Sequence, residues 1–178
     1  LANIIDDKIT AVRLQYVDDV YGEAQQAGEG IFDLIDKFKE HPEVGVPLYG
    51  PIINTVTRGA RLKKFYLRSA ASGVGKTRSM IADSCYIACN KIYDDTFGSW
   101  IKNGIQEPVL YITTEQDKNE IQTMMLAFLS NVNEEHIING EYLDGEEERV
   151  LEAANLLSNA PLYIEELPDF SLKDVEDK

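Results

Sequence analysis

The chain has 178 residues, a length that suits one domain of ordinary size. Apolar residues make up 44% of it, enough to form a core without disulfides or a structural metal. The 17 Lys and Arg against 31 Asp and Glu give a net charge of −14, which excludes a uniformly basic nucleic-acid-binding surface. There is no apolar run of the roughly 18 residues that a membrane span needs. Two cysteines make no disulfide framework, so we expect a cytoplasmic protein. Because the sequence contains no such apolar run, we also expect no membrane partner.

Two amphipathic helices are predicted near the beginning of the chain. Apolar residues recur at spacings of three and four over residues 5–20, which predicts a helix that ends by residues 28–30. A second helix is predicted over residues 31–39, and it ends at His41 because a residue before proline avoids the α region. Residues 45–59 are rich in Gly, Pro, Asn and Thr, which is typical of a connector with turns.

Strands and helices alternate through the rest of the chain. The elements predicted are a strand at 64–68, helices at 77–93, 117–129 and 146–157, and strands at 109–113 and 162–164. Asp117 and Glu120 have the spacing of a capping box at the start of the second of these helices. The alternation predicts an α/β fold with a mostly parallel sheet flanked by helices.

A small-residue loop between the predicted strand at 64–68 and the following helix carries the chemistry. It matches the phosphate-loop (Walker A) pattern G-x-x-x-x-G-K-[ST] at Gly75, Lys76 and Thr77, with Ala70 in place of the first glycine. Backbone N–H groups of such a loop and the helix N-terminus bind phosphates, while the lysine reaches the β- and γ-phosphates and the threonine hydroxyl binds Mg²⁺. The residues predicted to bind a nucleotide are Ala71, Ser72, Gly73, Val74, Gly75, Lys76, Thr77 and Arg78.

The basic charge near this loop suits an anionic ligand, and chance clustering of basic residues on a solvated strand is the alternative interpretation of that charge. For the loop itself, the alternative is a glycine turn that caps the helix without an anion. Residues 58–78 contain seven basic side chains and no acidic one, in a chain that is acidic elsewhere. Such a window suits a local anion better than a long polyanion.

Two glutamates are candidates for chemistry beside the phosphates. Glu115 follows the predicted strand at 109–113, and the carboxyl ends of parallel strands face the crevice where ligands bind. There its carboxylate can orient a water that attacks the γ-phosphate. Glu165 is a weaker candidate, as a Mg²⁺ ligand, because Pro161 and Pro168 bracket its strand and favour an edge position.

Other residues with potential ligand chemistry have simpler interpretations. Cys85 and Cys89 lie four apart on one helix face, and we expect two buried thiols that pack that helix on the sheet. His41 and His136 lack metal-ligand spacing. The acidic run at 146–148 is expected to be a solvated first helical turn.

The ordered set of these motifs resembles the C-terminal RecA-like ATPase domain of DnaB-type replicative DNA helicases of bacteria or phages. The matching segments are the loop at 70–77, the strand and glutamate at 109–115, the helix at 117–126, the turn at 131–133, the acidic helix at 146–157 and the segment PLYIEELP at 161–168.

The resemblance implies a RecA-like P-loop domain at residues 44–178, preceded by a helical linker at 1–43. It implies ATP and Mg²⁺ as cofactors, Glu115 and Lys76 as catalytic residues, and Thr77 as the metal ligand. The implied function is the ATP-binding part of a hexameric helicase that couples ATP hydrolysis to DNA unwinding, with single-stranded DNA, primase and a helicase loader as partners. A recombinase-like or loader ATPase, or a nucleotide-dependent interaction module without hydrolysis, stays open as an alternative.

In that family the metal-binding Asp, the DNA-binding loops and the arginine finger follow the "Y-I-D-D" segment, which residues 163–166 match here. We expect the chain to end before them, as part of a longer protein. It is therefore expected to bind ATP but to hydrolyse it slowly, without stimulation by single-stranded DNA. The same comparison disfavours Glu165 as a metal ligand.

Overall fold

The computed structural model describes residues 24, 26–169 and 171, and the chain divides into two units after Pro42. The helix predicted for residues 5–20 lies outside the described residues. In the first unit, helix α1 (Ile31–Glu40) confirms the second predicted helix. No helix in the described part of the chain is long and apolar enough to cross a membrane.

The second unit contains an α/β arrangement of five helices and four strands within the described residues. In chain order these are α2 (Pro51–Thr57), α3 (Lys76–Ala88), β1 (Lys91–Asp94), β2 (Ser99–Lys102), β3 (Val109–Thr113), α4 (Lys118–Ser130), α5 (Glu134–Asn139), α6 (Glu146–Asn159) and β4 (Leu162–Glu166). Strands β3 and β4 pair in parallel, with Val109 opposite Leu162 and Thr113 opposite Glu166. Strands β1 and β2 form an antiparallel hairpin.

The hydrophobic core lies between the β3–β4 sheet and the helices. Alternate residues of β3 point in opposite directions, so Tyr111 and Thr113 are buried while Leu110 is exposed. The buried side chains that form this core come mainly from α3, α4 and α6, and include Ile81, Cys85, Ile121, Met125, Leu129 and Ala153. The parallel pair and its helices confirm the α/β prediction, and they place the carboxyl ends of β3 and β4 beside each other.

Helix α4 begins as the sequence predicts. The Asp117 side chain accepts a hydrogen bond from the Glu120 N–H at 2.9 Å, which satisfies one of the free N–H groups of the first turn. The helix ends at Ser130, and its C-cap Asn131 has a φ of 51°, in the left-handed region that asparagine tolerates. Asn133 then caps α5, a six-residue helix that the sequence analysis missed.

The strand prediction for residues 64–68 is wrong. An extended segment becomes a strand only when its N–H and C=O groups pair with a neighbour, and among the described residues these five have no ladder partner. Phe65 and Leu67 are largely exposed. The segment is joined to α3 through a side chain instead, because Arg68 donates to Ser79 and Asp83.

The prediction of a helix over residues 77–93 is wrong at its end. Helix α3 ends at Ala88, and Cys89 has the extended angles φ −103° and ψ 132°. The Asn103 side-chain amide donates to the carbonyls of Tyr86 and Cys89, which satisfies acceptors of the last turn. The chain then forms the β1–β2 hairpin, whose turn Asp94 stabilises by accepting from the N–H groups at 96 and 97.

Candidate nucleotide-binding site

The phosphate-loop residues lie directly before α3, as the motif predicts. Gly73 and Gly75 have φ of 77° and 89°, in the left-handed region that favours glycine. Gly75 is the residue from which α3 starts, so its conformation turns the chain into the helix. The loop is therefore placed so that the N-terminus of α3 faces the same space as the loop backbone.

The Lys76 side chain folds back onto the loop that precedes it. It donates to the carbonyl oxygens of Ala70 at 2.7 Å and Ala71 at 3.1 Å. The side chain therefore crosses the loop instead of extending into solvent. A cation held by two neutral carbonyls is ready to exchange them for charged phosphate oxygens, which form stronger hydrogen bonds.

A cavity of about 630 Å³ opens in front of the loop. Its loop-side wall is formed by Ser72, Gly73, Gly75, Lys76, Thr77 and Arg78. Ala71 and Val74, also predicted to bind the nucleotide, do not line it; Ala71 contributes its carbonyl to Lys76, and the Val74 side chain is exposed. The structure thus brings together six of the eight predicted residues.

Glu115 lines the same cavity, two residues beyond the end of β3. The turn that carries it is fixed by Thr113, whose hydroxyl donates to the Gln116 carbonyl and accepts from the Gln116 N–H. A second bond ties the neighbouring strand to this turn, since the Lys118 N–H donates to Glu166 at 2.9 Å. Glu115 therefore stands at the carboxyl end of a parallel strand and lines the same cavity as the phosphate loop.

The remaining wall comes from the start of α4 and from α5. It includes Asn119, Thr123, Met124, Glu134 and Ile138. Glu134 forms an ion pair with Arg78, with 2.6 Å between Oε2 and Nη2. Sequence reasoning missed Glu134 because the short helix α5 was not predicted; the Asn133 cap followed by two glutamates was the available signal.

Oxygen groups suited to Mg²⁺ are present, but they do not form a complete protein cage. The Thr77 hydroxyl and the Glu115 carboxylate line the cavity, and Mg²⁺ prefers oxygen ligands from one or two side chains together with substrate phosphates. No group of three or more His, Cys, Asp and Glu gathers as a metal site within the described residues. Glu165 stands opposite Ile112 in the sheet and does not line the cavity.

The prediction of a solvated acidic turn at 146–148 is wrong for Glu146. Its side chain is buried and accepts from the Leu143 N–H at 2.9 Å, with His136 Nδ1 at 2.8 Å. The Leu143 hydrogen bond, then His136 and Arg149, lower the pKa of the Glu146 carboxyl. The pair joins α5 to α6, and thereby supports the helix that carries Glu134. The expectation for Cys85 and Cys89 is confirmed, since both are buried thiols.

Comparison with known proteins identifies relatives of this site and fold. The family of the DnaB-like helicase C terminal domain matches residues 45–178. The SPbeta prophage-derived uncharacterized protein YorI of Bacillus subtilis (strain 168) is 37% identical over 179 residues, which cover 97% of this chain and 36% of that protein. The chain thus spans about a third of the length of this relative.

Two solved structures share the fold at low sequence identity. One is an ATPase domain with a TM-score of 0.66 and 15% identity, over 87% of this chain and 51% of that one. The other is a DnaB-like replicative helicase, described together with its interactions with primase, with a TM-score of 0.69 and 14% identity, over 99% of this chain and 41% of that one. The RecA-like ATPase fold expected from the sequence is therefore confirmed.

Proposed function

Since the chain belongs to the family of DnaB-like helicase C-terminal domains, we propose that it is the ATP-binding part of a replicative DNA helicase. The observation that carries the proposal is that one cavity joins the phosphate loop, Lys76, Thr77 and Glu115.

In this proposal Lys76 exchanges the carbonyls of Ala70 and Ala71 for the β- and γ-phosphate oxygens. The loop N–H groups and Arg78 bind the remaining phosphate charge, and the Thr77 hydroxyl binds Mg²⁺. When bound there, Mg²⁺ would neutralise charge that develops on the phosphates. Glu115 accepts a proton from the attacking water and orients it toward the γ-phosphate.

Assembly and DNA binding are assigned to the longer protein. The chain spans 36% of its prophage relative, and a hexameric ring with single-stranded DNA at its centre would use regions outside residues 1–178. Primase is a candidate partner because the solved DnaB-like replicative helicase was described with its interactions with primase. An arginine finger supplied by the longer protein is worth about 10³–10⁵ in rate, so residues 1–178 alone should bind ATP and hydrolyse it slowly.

Thermal-shift titration with ATP and Mg²⁺ tests the binding step. The parent protein should be stabilised by about 2.7 kcal/mol at a ligand concentration one hundred times its dissociation constant. Lys76→Ala should lose most of this stabilisation without unfolding. Lys64→Ala is the matched control, because Lys64 belongs to the same basic window but does not line the cavity. Equal stabilisation of parent and Lys76→Ala would contradict the site.

Glu115→Gln in the full-length protein separates a motor from a binding module. The substitution removes the charge but keeps the shape, so ATP binding should persist while hydrolysis is lost. DNA-stimulated hydrolysis that is unchanged by Glu115→Gln would contradict the proposed role of Glu115 in catalysis. ATP binding without any hydrolysis by the parent full-length protein would favour the interaction module.

A further inference from the structure

Arg78, two residues after Lys76, forms a charged pair with Glu134. Arg78 is the third residue of α3, and Glu134 is the first residue of α5. Their 2.6 Å contact links the helix that leaves the loop to a second helix that also lines the cavity. The pair therefore stands in the space that the proposed nucleotide would share.

The two partners differ in their freedom to move. The Arg78 side chain is 63% exposed, whereas that of Glu134 is 23% exposed. Oxygen Oε2 of Glu134 is shielded from solvent, and Arg78 provides its counter-charge. The guanidinium can thus turn away through solvent with little loss of packing, while the carboxylate stays in place.

A nucleotide polyphosphate is a stronger ligand for this guanidinium than one carboxylate. Coulomb attraction grows with the charge of the partner, and a polyphosphate carries several negative charges. Its oxygens also accept paired hydrogen bonds from the guanidinium fork. A phosphate group bound at the loop would therefore compete with Glu134 for Arg78.

We propose that Glu134 is a positioning residue that binds Arg78 in the free protein and competes with nucleotide phosphates for it. The inference rests on the proposed nucleotide site and adds a residue that sets its affinity. Binding then includes an exchange, in which Arg78 leaves Glu134 for phosphate. Glu134 makes nucleotide affinity lower than the loop alone would give.

A double-mutant cycle measures this exchange. The dissociation constant of ATP with Mg²⁺ is measured by calorimetry for the parent, Glu134→Gln, Arg78→Gln and the double variant. We expect Glu134→Gln to tighten binding by about fivefold, the size of one partly exposed ion pair. In the Arg78→Gln background the same change should alter the constant less than twofold, because no guanidinium remains to be released.

Glu135→Gln is the matched control, since it removes the same charge from the next residue of α5, which does not line the cavity. It should change the constant less than twofold. Equal tightening by Glu134→Gln with and without Arg78 would overturn the inference, because it would show simple removal of a repelling charge. Absence of any tightening would overturn it as well.

Failure of the nucleotide site itself gives a different pattern. In that case the parent binds ATP no better than Lys76→Ala, and both proposals fall. A crystal structure of the parent with bound nucleotide provides a second measurement that needs no variant. The Arg78–Glu134 separation should increase from 2.6 Å to beyond the ion-pair limit of about 4 Å. A retained pair would overturn the exchange.

Discussion

Arg68 and Asp83 join the two ends of the phosphate-loop region, with Nη2 of the guanidinium 2.6 Å from Oδ2 of the carboxylate. Arg68 lies in the segment that enters the loop, and Asp83 lies on α3, which leaves it. The other carboxylate oxygen accepts the Tyr49 N–H at 2.9 Å. One side chain thus fixes two segments to the helix on which the nucleotide site depends.

Replacement of Asp83 should therefore cost stability. Asp83→Ala leaves the Arg68 guanidinium and the Tyr49 N–H without this acceptor, and we expect a loss of about 1–3 kcal/mol in the free energy of unfolding. Urea unfolding followed by fluorescence of Trp100, the single tryptophan, measures it.

Asp95→Ala is the control for the Asp83 prediction. The Asp95 side chain is 74% exposed, and its ion pair with Arg149 is 3.5 Å long, so its loss should cost about 0.5 kcal/mol or less. Equal losses for the two variants would show that Asp83 does not anchor the loop segments.

The site was predictable to the extent that it depends on local sequence. The loop, Lys76, Thr77 and the start of α3 are neighbours in the chain, so motif spacing alone places them. Glu115 was found because it follows a continuous apolar strand. The contact between Arg78 and Glu134 depends on how α5 packs, and a six-residue helix has too few turns for a periodic signal.

The errors in the predicted fold also come from contacts between segments that are distant in sequence. Residues 64–68 have the composition of a strand, but pairing is a tertiary property and composition does not report it. Glu146 resembles its exposed neighbours in sequence, and its burial depends on the tertiary approach of α5, which brings His136 to it. The apolar spacing that runs through Cys89 to Ile92 favoured continuing α3. Pairing of Ile92 and Tyr93 with β2 stabilises the hairpin instead.

The Glu146 carboxyl gives a pH-dependent contribution to stability. Its pKa in the folded protein is lower than the ordinary 4.5, so its contribution is fully present above that value and is lost as the pH falls through the folded pKa. The groups that face it are the Leu143 N–H, His136 and Arg149. Glu146→Gln should therefore destabilise the protein most near neutral pH, and the difference should shrink below pH 4.5.

Unfolding of both proteins in urea at several pH values measures this difference. Glu147→Gln is the matched control, because Glu147 is an exposed residue of the same helical turn. If Glu147→Gln lowered the free energy of unfolding by the same amount as Glu146→Gln, with the same pH dependence, a special role for Glu146 would be refuted.

The buried thiols should be unreactive in the native protein. Burial raises the pKa of Cys85 well above its usual value and raises that of Cys89 to about 11. Because the thiolate is the nucleophile, a raised pKa leaves little of the reactive form at pH 8. Ellman's reagent should modify both cysteines slowly in buffer and rapidly in urea. Rapid modification of a thiol under native conditions would show that α3 leaves the core frequently.

Gly45 provides a last test, of a close approach between backbone segments. A Cβ added there would overlap the Ala60 carbonyl group, where Val46 and Ala60 exchange backbone hydrogen bonds of 3.0 and 2.7 Å. Gly45→Ala must push these backbones apart, so we expect a loss of about 1–3 kcal/mol in the unfolding followed by Trp100. Gly28→Ala is the control, because a Cβ at Gly28 meets nothing within 4 Å and Gly28 belongs to the other unit. An unchanged unfolding midpoint for Gly45→Ala would mean that the connector separates from residues 58–60 without cost to the ATPase fold.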